Sequence, residues 1–249
     1  MKPYLLSAVT LAALLFGASG QAAFKAGPDG LPEGWKLFRI NEKVPATKFT
    51  VPEPGVLHAQ ASNSMAGVIR KQRVDLDKTP ILCWRWKVKA SVAKADLLTK
   101  AGDDYAARIY VFYDVPVAQL GFSDRLKIKL AKSLYEADIP TAALNYVWDN
   151  KQPIGTLRAN AYTDRTRMLV VESGNAKAGQ WLSEARDLKQ DYVAAFGGTA
   201  PDVTGLAIAT DTDNTHGDAE AWYQEPRFVA TAEQCPTPCQ LERRNADPA

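Results

Sequence analysis

The chain has 249 residues, 46% of them hydrophobic and 23% charged, a balance that excludes a disordered or fibrous protein. Lys plus Arg number 30 against 28 Asp plus Glu, so a net charge of +2 gives no support to a phosphate-tracking surface, and no nucleic-acid partner is expected. Three Cys are too few for a disulfide scaffold.

Met1 to Ala22 reads as a secretory signal peptide. Lys2 supplies the positive end, Tyr4 to Phe16 the apolar run, and Gly17-Ala18-Ser19-Gly20 the small residues before a cut after Ala22. About thirteen apolar residues are too few to cross a bilayer of ~30 Å, so the protein is not expected to be membrane-embedded. The mature chain is expected to be periplasmic or secreted. One domain is expected over residues 23–230, followed by a tail over 231–249.

From Gly34 onward the hydrophobic pattern has period two. In Pro80–Val88, Leu82, Trp84, Trp86 and Val88 fall on one face and Cys83, Arg85 and Lys87 on the other. In Tyr105–Tyr113, the residues Tyr105, Ala107, Ile109, Val111 and Tyr113 share an apolar face. Further strands are predicted over Val56–Gln60, Gly67–Val74, Leu144–Trp148, Arg167–Glu172, Trp181–Leu188, Thr204–Thr210 and Ala219–Gln224, mostly antiparallel. Two segments read as helices. Ser123 can cap one through Tyr135, although Leu126–Leu130 also alternates like a strand. Asp187 with Gln190 resembles a capping box for a second, which Gly197-Gly198 closes after Phe196.

In the tail, Cys235 and Cys239 stand close enough to pair in an oxidising compartment, leaving Cys83 as a buried free thiol. These elements predict a mainly β fold: a single β-sandwich, jelly-roll or galactose-binding-like, with one or two short helical insertions.

Charges inside apolar strands need a physical reason, because an unpaired buried charge is costly. Arg85 lies between Trp84 and Trp86, and Asp103, Asp104 and Arg108 open another strand. Glu184 and Arg186 follow Trp181, and an apolar strand runs from Leu206 into Asp211 and Asp213. Ala207, Ala209, Asp211 and Asp213 share a side opposite Leu206 and Ile208. With the polar sides facing the same way, one sheet carries Arg85, Asp104, Arg108, Asn145 and Asp211 among small alanines. Such a floor offers the acceptors and forked donors that sugar hydroxyls need. The other reading is plain neutralisation of Arg and Asp across a half-exposed sheet.

Trp84-Arg85-Trp86, Gly102–Arg108, Asn145-Tyr146-Val147-Trp148, Val171-Glu172-Ser173-Gly174 and Asp211-Thr212-Asp213-Asn214-Thr215 stand in this order. With Trp181 through Asp191-Tyr192 and Phe196-Gly197, they resemble the bacterial domain of unknown function 3047 over roughly Gly34 to Val229. The resemblance implies an exported β-rich domain and transfers no catalytic residue.

His58 and His216 are far apart and lack zinc spacing, so His58 reads as a strand-surface residue and His216 as a turn. Nucleophile-elbow, phosphate-loop and dinucleotide motifs are absent. Asp211, Asp213 and Asn214, with Thr215 beside them, concentrate oxygen ligands for Ca2+, the one cofactor the pattern offers, although His216 stands where an EF-hand needs Gly. A glycosidase pair can be drawn from Asp103 or Asp104 with Asp211, Asp213 or Glu184, and a lyase from Arg108 with Tyr110 or Tyr146. Trp35 and Trp222 lie outside the core patterns and are the candidates for exposed sugar-stacking rings. The expected function is binding of a carbohydrate or cell-envelope glycan by Arg85, Asp103, Asp104, Arg108, Asn145, Glu184, Arg186, Asp211 and Asp213. The alternatives are a polysaccharide hydrolase or lyase on the same face, and an envelope protein-interaction module docking through Ser123–Tyr135. No catalytic residue is assigned.

Overall fold

The computed structural model describes residues 24–115 and 141–236. The expected signal peptide, the Ser123–Tyr135 segment and Cys239 lie outside the described residues. Among the described residues twelve strands follow in chain order: β1 Lys36–Phe38, β2 Lys48–Glu53, β3 Val56–Ser62, β4 Met65–Val74, β5 Ile81–Val88 and β6 Arg108–Tyr113. Then come β7 Ala142–Asp149, β8 Leu157–Ala159, β9 Thr166–Ser173, β10 Leu182–Asp187, helix α1 Leu188–Phe196, β11 Val203–Asp211 and β12 Asp218–Val229.

They form a seven-stranded sheet, β1-β4-β11-β6-β7-β9-β8, packed on a five-stranded sheet, β10-β5-β12-β3-β2. The fold is the expected mainly-β sandwich. Every strand pair is antiparallel except β7 with β9, which run parallel because the short β8 folds back on the far edge of β9.

Period-two alternation explains the core. Leu82, Trp84, Trp86 and Val88 point inward from β5 and meet Ile109, Val111, Leu144, Tyr146, Trp148, Leu206 and Ile208 from the larger sheet. Trp84 touches Tyr146 at 5.2 Å between ring centroids, and Trp86 touches Trp148 at 5.9 Å, so aromatic rings join the two layers. Helix α1 starts as its sequence predicts: the Asp187 carboxylate accepts from the Lys189 and Gln190 N–H groups, each at 3.0 Å. It ends at Gly197, whose φ of 74° favours glycine.

Three local expectations are corrected. Cys83 is not a free thiol and Cys235 does not pair with Cys239, because Cys83 and Cys235 form a disulfide across 152 residues. The cause is topological: β12 runs antiparallel to β5 with Arg227 opposite Cys83, and a 3-10 turn over Ala232–Gln234 then brings Cys235 back to that face. Trp35 is 4% exposed, packed on Phe24 at 5.7 Å with the Arg70 guanidinium over its ring, and so belongs to the core. Tyr105 lies before β6 rather than in it and joins a second apolar cluster with Leu97, Val147, Met168 and Val170.

Candidate functional site

Two cross-strand rows on the outer face of the seven-stranded sheet build the site. One runs Gly67–Ala209–Arg108–Val147–Val170, the next Ile69–Ala207–Tyr110–Asn145–Met168–Arg158. Alternation puts Ala207, Ala209 and Asp211 on this face because Leu206 and Ile208 are buried between the sheets. Gly67 is required where β4 meets β11, since a Cβ there would lie 2.9 Å from the Ile208 carbonyl oxygen.

Arg108 is 4% exposed and its Nη2 donates to Oδ2 of Asp211, itself 1% exposed. The guanidinium lies between two rings, 5.3 Å from the centre of Tyr105 and 5.2 Å from that of Tyr110. Asp211 Oδ1 also accepts from the Tyr105 N–H at 3.1 Å, which locks the end of β11 to the chain entering β6. Burial works against the charge of Arg108, yet Asp211, Tyr110 and Asp103 around it hold its pKa above the ordinary value. Burial raises the Asp211 carboxyl; Arg108 pulls it back and Asp104 and Asp103 push it further up.

Asp104 ties down the turn after β11. Its Oδ1 accepts from the backbone and side-chain N–H of Asn214, both at 3.2 Å, and its Oδ2 from the Thr215 N–H at 2.6 Å. Asp103 accepts from Asn160 Nδ2 through both oxygens at 3.0 Å, joining the loop before β6 to the β8–β9 turn. Burial raises the carboxyls of Asp103 and Asp213.

Of the sequence-predicted residues, Asp103, Asp104, Arg108, Asn145, Asp211 and Asp213 come together here. Arg85 does not. Its side chain lies on the outer face of the five-stranded sheet, opposite Gln224 and Ser183, donating to Gln224 Oε1 at 3.2 Å. Glu184 and Arg186 lie on the edge strand β10. Trp86 Nε1 donates to Glu184 Oε1 at 3.1 Å, and Arg186 pairs with Asp191, which also accepts from the Tyr146 hydroxyl at 2.8 Å. Burial, then the neighbouring Glu172, pushes the Glu184 carboxyl up to about 7. Tyr146 therefore faces the core and cannot serve Arg108 as a base. Trp222 is half-buried and stacked on His58 at 4.8 Å, with Lys87 Nζ 4.3 Å from its ring centre, so its faces are already covered. His216 sits in the expected turn with φ 54°.

Asn160 and Tyr162 were not legible as site residues, since Asn160–Asp164 reads as an ordinary turn. Carboxylate oxygens of Asp104, Asp211 and Asp213 lie within 4.8 Å of one another, a spacing at which one divalent cation can be shared. Asn214, the third residue of the set expected from sequence, accepts from the Tyr162 hydroxyl on its Oδ1 at 2.9 Å.

No curated protein matches the chain. Among solved structures, a mutant family 29 carbohydrate-binding module is similar at 9% identity and TM-score 0.37, covering 90% of this chain and 95% of that one. The xyloglucanase domain of NopAA, a type three effector from Sinorhizobium fredii, aligns at 8% identity and TM-score 0.42 over 79% of this chain and 93% of its own. A family 12 endoglucanase 3 from Trichoderma harzianum aligns at 10% identity and TM-score 0.42, over 85% and 95%. Residues 33–227 match the family described as protein of unknown function (DUF3047), and the chain belongs to that family.

Proposed function

We propose that this DUF3047 chain binds a carbohydrate of the cell envelope through the outer face of the seven-stranded sheet around Arg108. One observation carries the reading: buried Arg108 Nε and Nη1 and Asn145 Oδ1 have no hydrogen-bond partner among the described residues. Each such group costs about 1–3 kcal/mol while it is unmade, and a hydroxyl-bearing ligand can both donate to Asn145 and accept from Arg108. Export to an oxidising compartment belongs to the same proposal, and the Cys83–Cys235 disulfide supports it.

The test is calorimetry and thermal unfolding with a panel of neutral and acidic oligosaccharides. A ligand at 100 times its Kd stabilises the native state by about 2.7 kcal/mol. Arg108→Lys keeps a cation beside Asp211 but loses the two uncommitted donors, so it is expected to lose at least about tenfold in affinity with an unchanged circular dichroism spectrum. A panel in which no sugar shifts the wild type overturns the proposal.

A hydrolase on the same face is the second reading, favoured by the raised carboxyls of Asp211, Asp103 and Asp213 in one cluster. It requires reducing ends that accumulate with time and stop accumulating in Asp213→Asn.

A further inference from the structure

The geometry points to the class of ligand: a neutral oligosaccharide of at least two rings, one over the Arg108 cluster and the next stacked on Tyr162. This rests on the carbohydrate reading and narrows it. Tyr162 is 56% exposed, and an exposed aromatic alone needs no explanation. Unlike an ordinary surface residue, this one is held at its backbone and at its hydroxyl by residues that also hold the polar cluster. The Tyr162 backbone N–H donates to Asn160 Oδ1 at 2.9 Å, and the same Asn160 grips Asp103. Its hydroxyl donates to Asn214 Oδ1 at 2.9 Å, with the Lys100 carbonyl 3.2 Å away as a second acceptor, and the same Asn214 grips Asp104.

The ring is thus fixed relative to Asp103 and Asp104 before any ligand arrives, which spares the ordering entropy of a loose side chain on binding. Lys100 Nζ lies 5.2 Å from the ring centre. A rigid, largely exposed ring beside a polar cluster is matched by a pyranose, which carries C–H groups on its faces and hydroxyls on its rim.

The charge of the cluster sets the neutrality of the ligand. Asp103, Asp104, Asp211 and Asp213 gather around Arg108, the cation ion-paired to Asp211. An acidic sugar would set a further carboxyl beside four acidic side chains, against two cations, Arg108 and the Lys100 ammonium beside Tyr162.

The experiment is calorimetric titration of the wild-type chain, Tyr162→Ala, Tyr162→Phe and Arg108→Lys. The probes are glucose, N-acetylglucosamine, their β-1,4-linked tetramers, and tetragalacturonate. In the wild type, one neutral tetramer should bind about tenfold more tightly than its monomer, and more tightly than tetragalacturonate. Tyr162→Ala should collapse the tetramer-to-monomer ratio to within about twofold of one, while Tyr162→Phe, which keeps the ring, should retain most of it. An unchanged ratio in Tyr162→Ala, an equal loss in both Tyr162 variants, or tighter binding of tetragalacturonate overturns the inference. Sugar binding that is lost in Arg108→Lys but never grows with chain length overturns it while leaving the parent reading intact. Binding of no probe overturns both.

Discussion

Arg108 and Asp211 form an ion pair, 4% and 1% exposed, that ties the start of β6 to the end of β11. Removing one partner of such a pair strands the other charge away from water, at about 3–5 kcal/mol. Asp211→Ala is therefore expected to lower urea-unfolding stability by that amount, and it also frees the Tyr105 N–H. A loss below about 1 kcal/mol would mean that the pair is solvated. Because of this cost, Asp211→Ala is a poor probe of ligand binding and Arg108→Lys the better one.

Glu184 gives the fold a pH dependence of definite sign. Its carboxyl is raised in the folded state from the ordinary 4.5 to about 7. A raised carboxyl contributes stability that is full below its unfolded pKa and is lost as pH rises through the folded one. Wild-type stability should thus fall between pH 4.5 and 7, by about 3 kcal/mol from this group. Glu184→Gln keeps an acceptor for Trp86 and should flatten that slope, making the variant the more stable chain at pH 8. Parallel stability curves across this range would assign the slope to other groups.

The Cys83–Cys235 bridge closes a loop of 152 residues. Such a loop restrains the unfolded chain far more than the short Cys235–Cys239 loop would, and Cys83→Ser is expected to cost about 2–5 kcal/mol. Reductant should lower the wild-type melting temperature and leave that of Cys83→Ser unchanged.

Gly102 holds the loop that presents Asp103 and Asp104. A Cβ at this position would lie 2.5 Å from the Asp96 backbone nitrogen, and backbone cannot yield as a side chain does. Gly102→Ala should cost about 1–3 kcal/mol and weaken the proposed glycan binding more than Glu184→Gln does. Equal binding by the two variants would separate the loop from the site.

Much of the sandwich was legible because alternation assigns faces directly. Leu206 and Ile208 against Ala207, Ala209 and Asp211, or Trp84 and Trp86 against Arg85, are face assignments that packing preserved. Alternation does not say to which sheet a strand belongs. Arg85 was correctly turned away from the tryptophans, yet β5 joins the smaller sheet, so Arg85 stands across the sandwich from Arg108. The same blindness to long-range pairing hid the Cys83–Cys235 bridge. Tyr105 departs from its predicted strand because the Asp211 carboxylate claims its backbone N–H while Asp104 beside it holds the Asn214 N–H, interactions between segments more than a hundred residues apart.

The placement of β11 bears on how the protein is made. This strand lies between β4 and β6, yet it is synthesised after both, at residues 203–211. Until it arrives, β4 and β6 have no common neighbour, and Arg108 waits without Asp211. The larger sheet is therefore completed by closing loops of roughly a hundred residues and more, an ordering that slows folding. A chain released short of residue 203 would carry most of the apolar strands and lack both β11, which unites β4 with β6, and β12, which unites β5 with β3. Such a fragment is expected to aggregate rather than persist as a smaller sandwich.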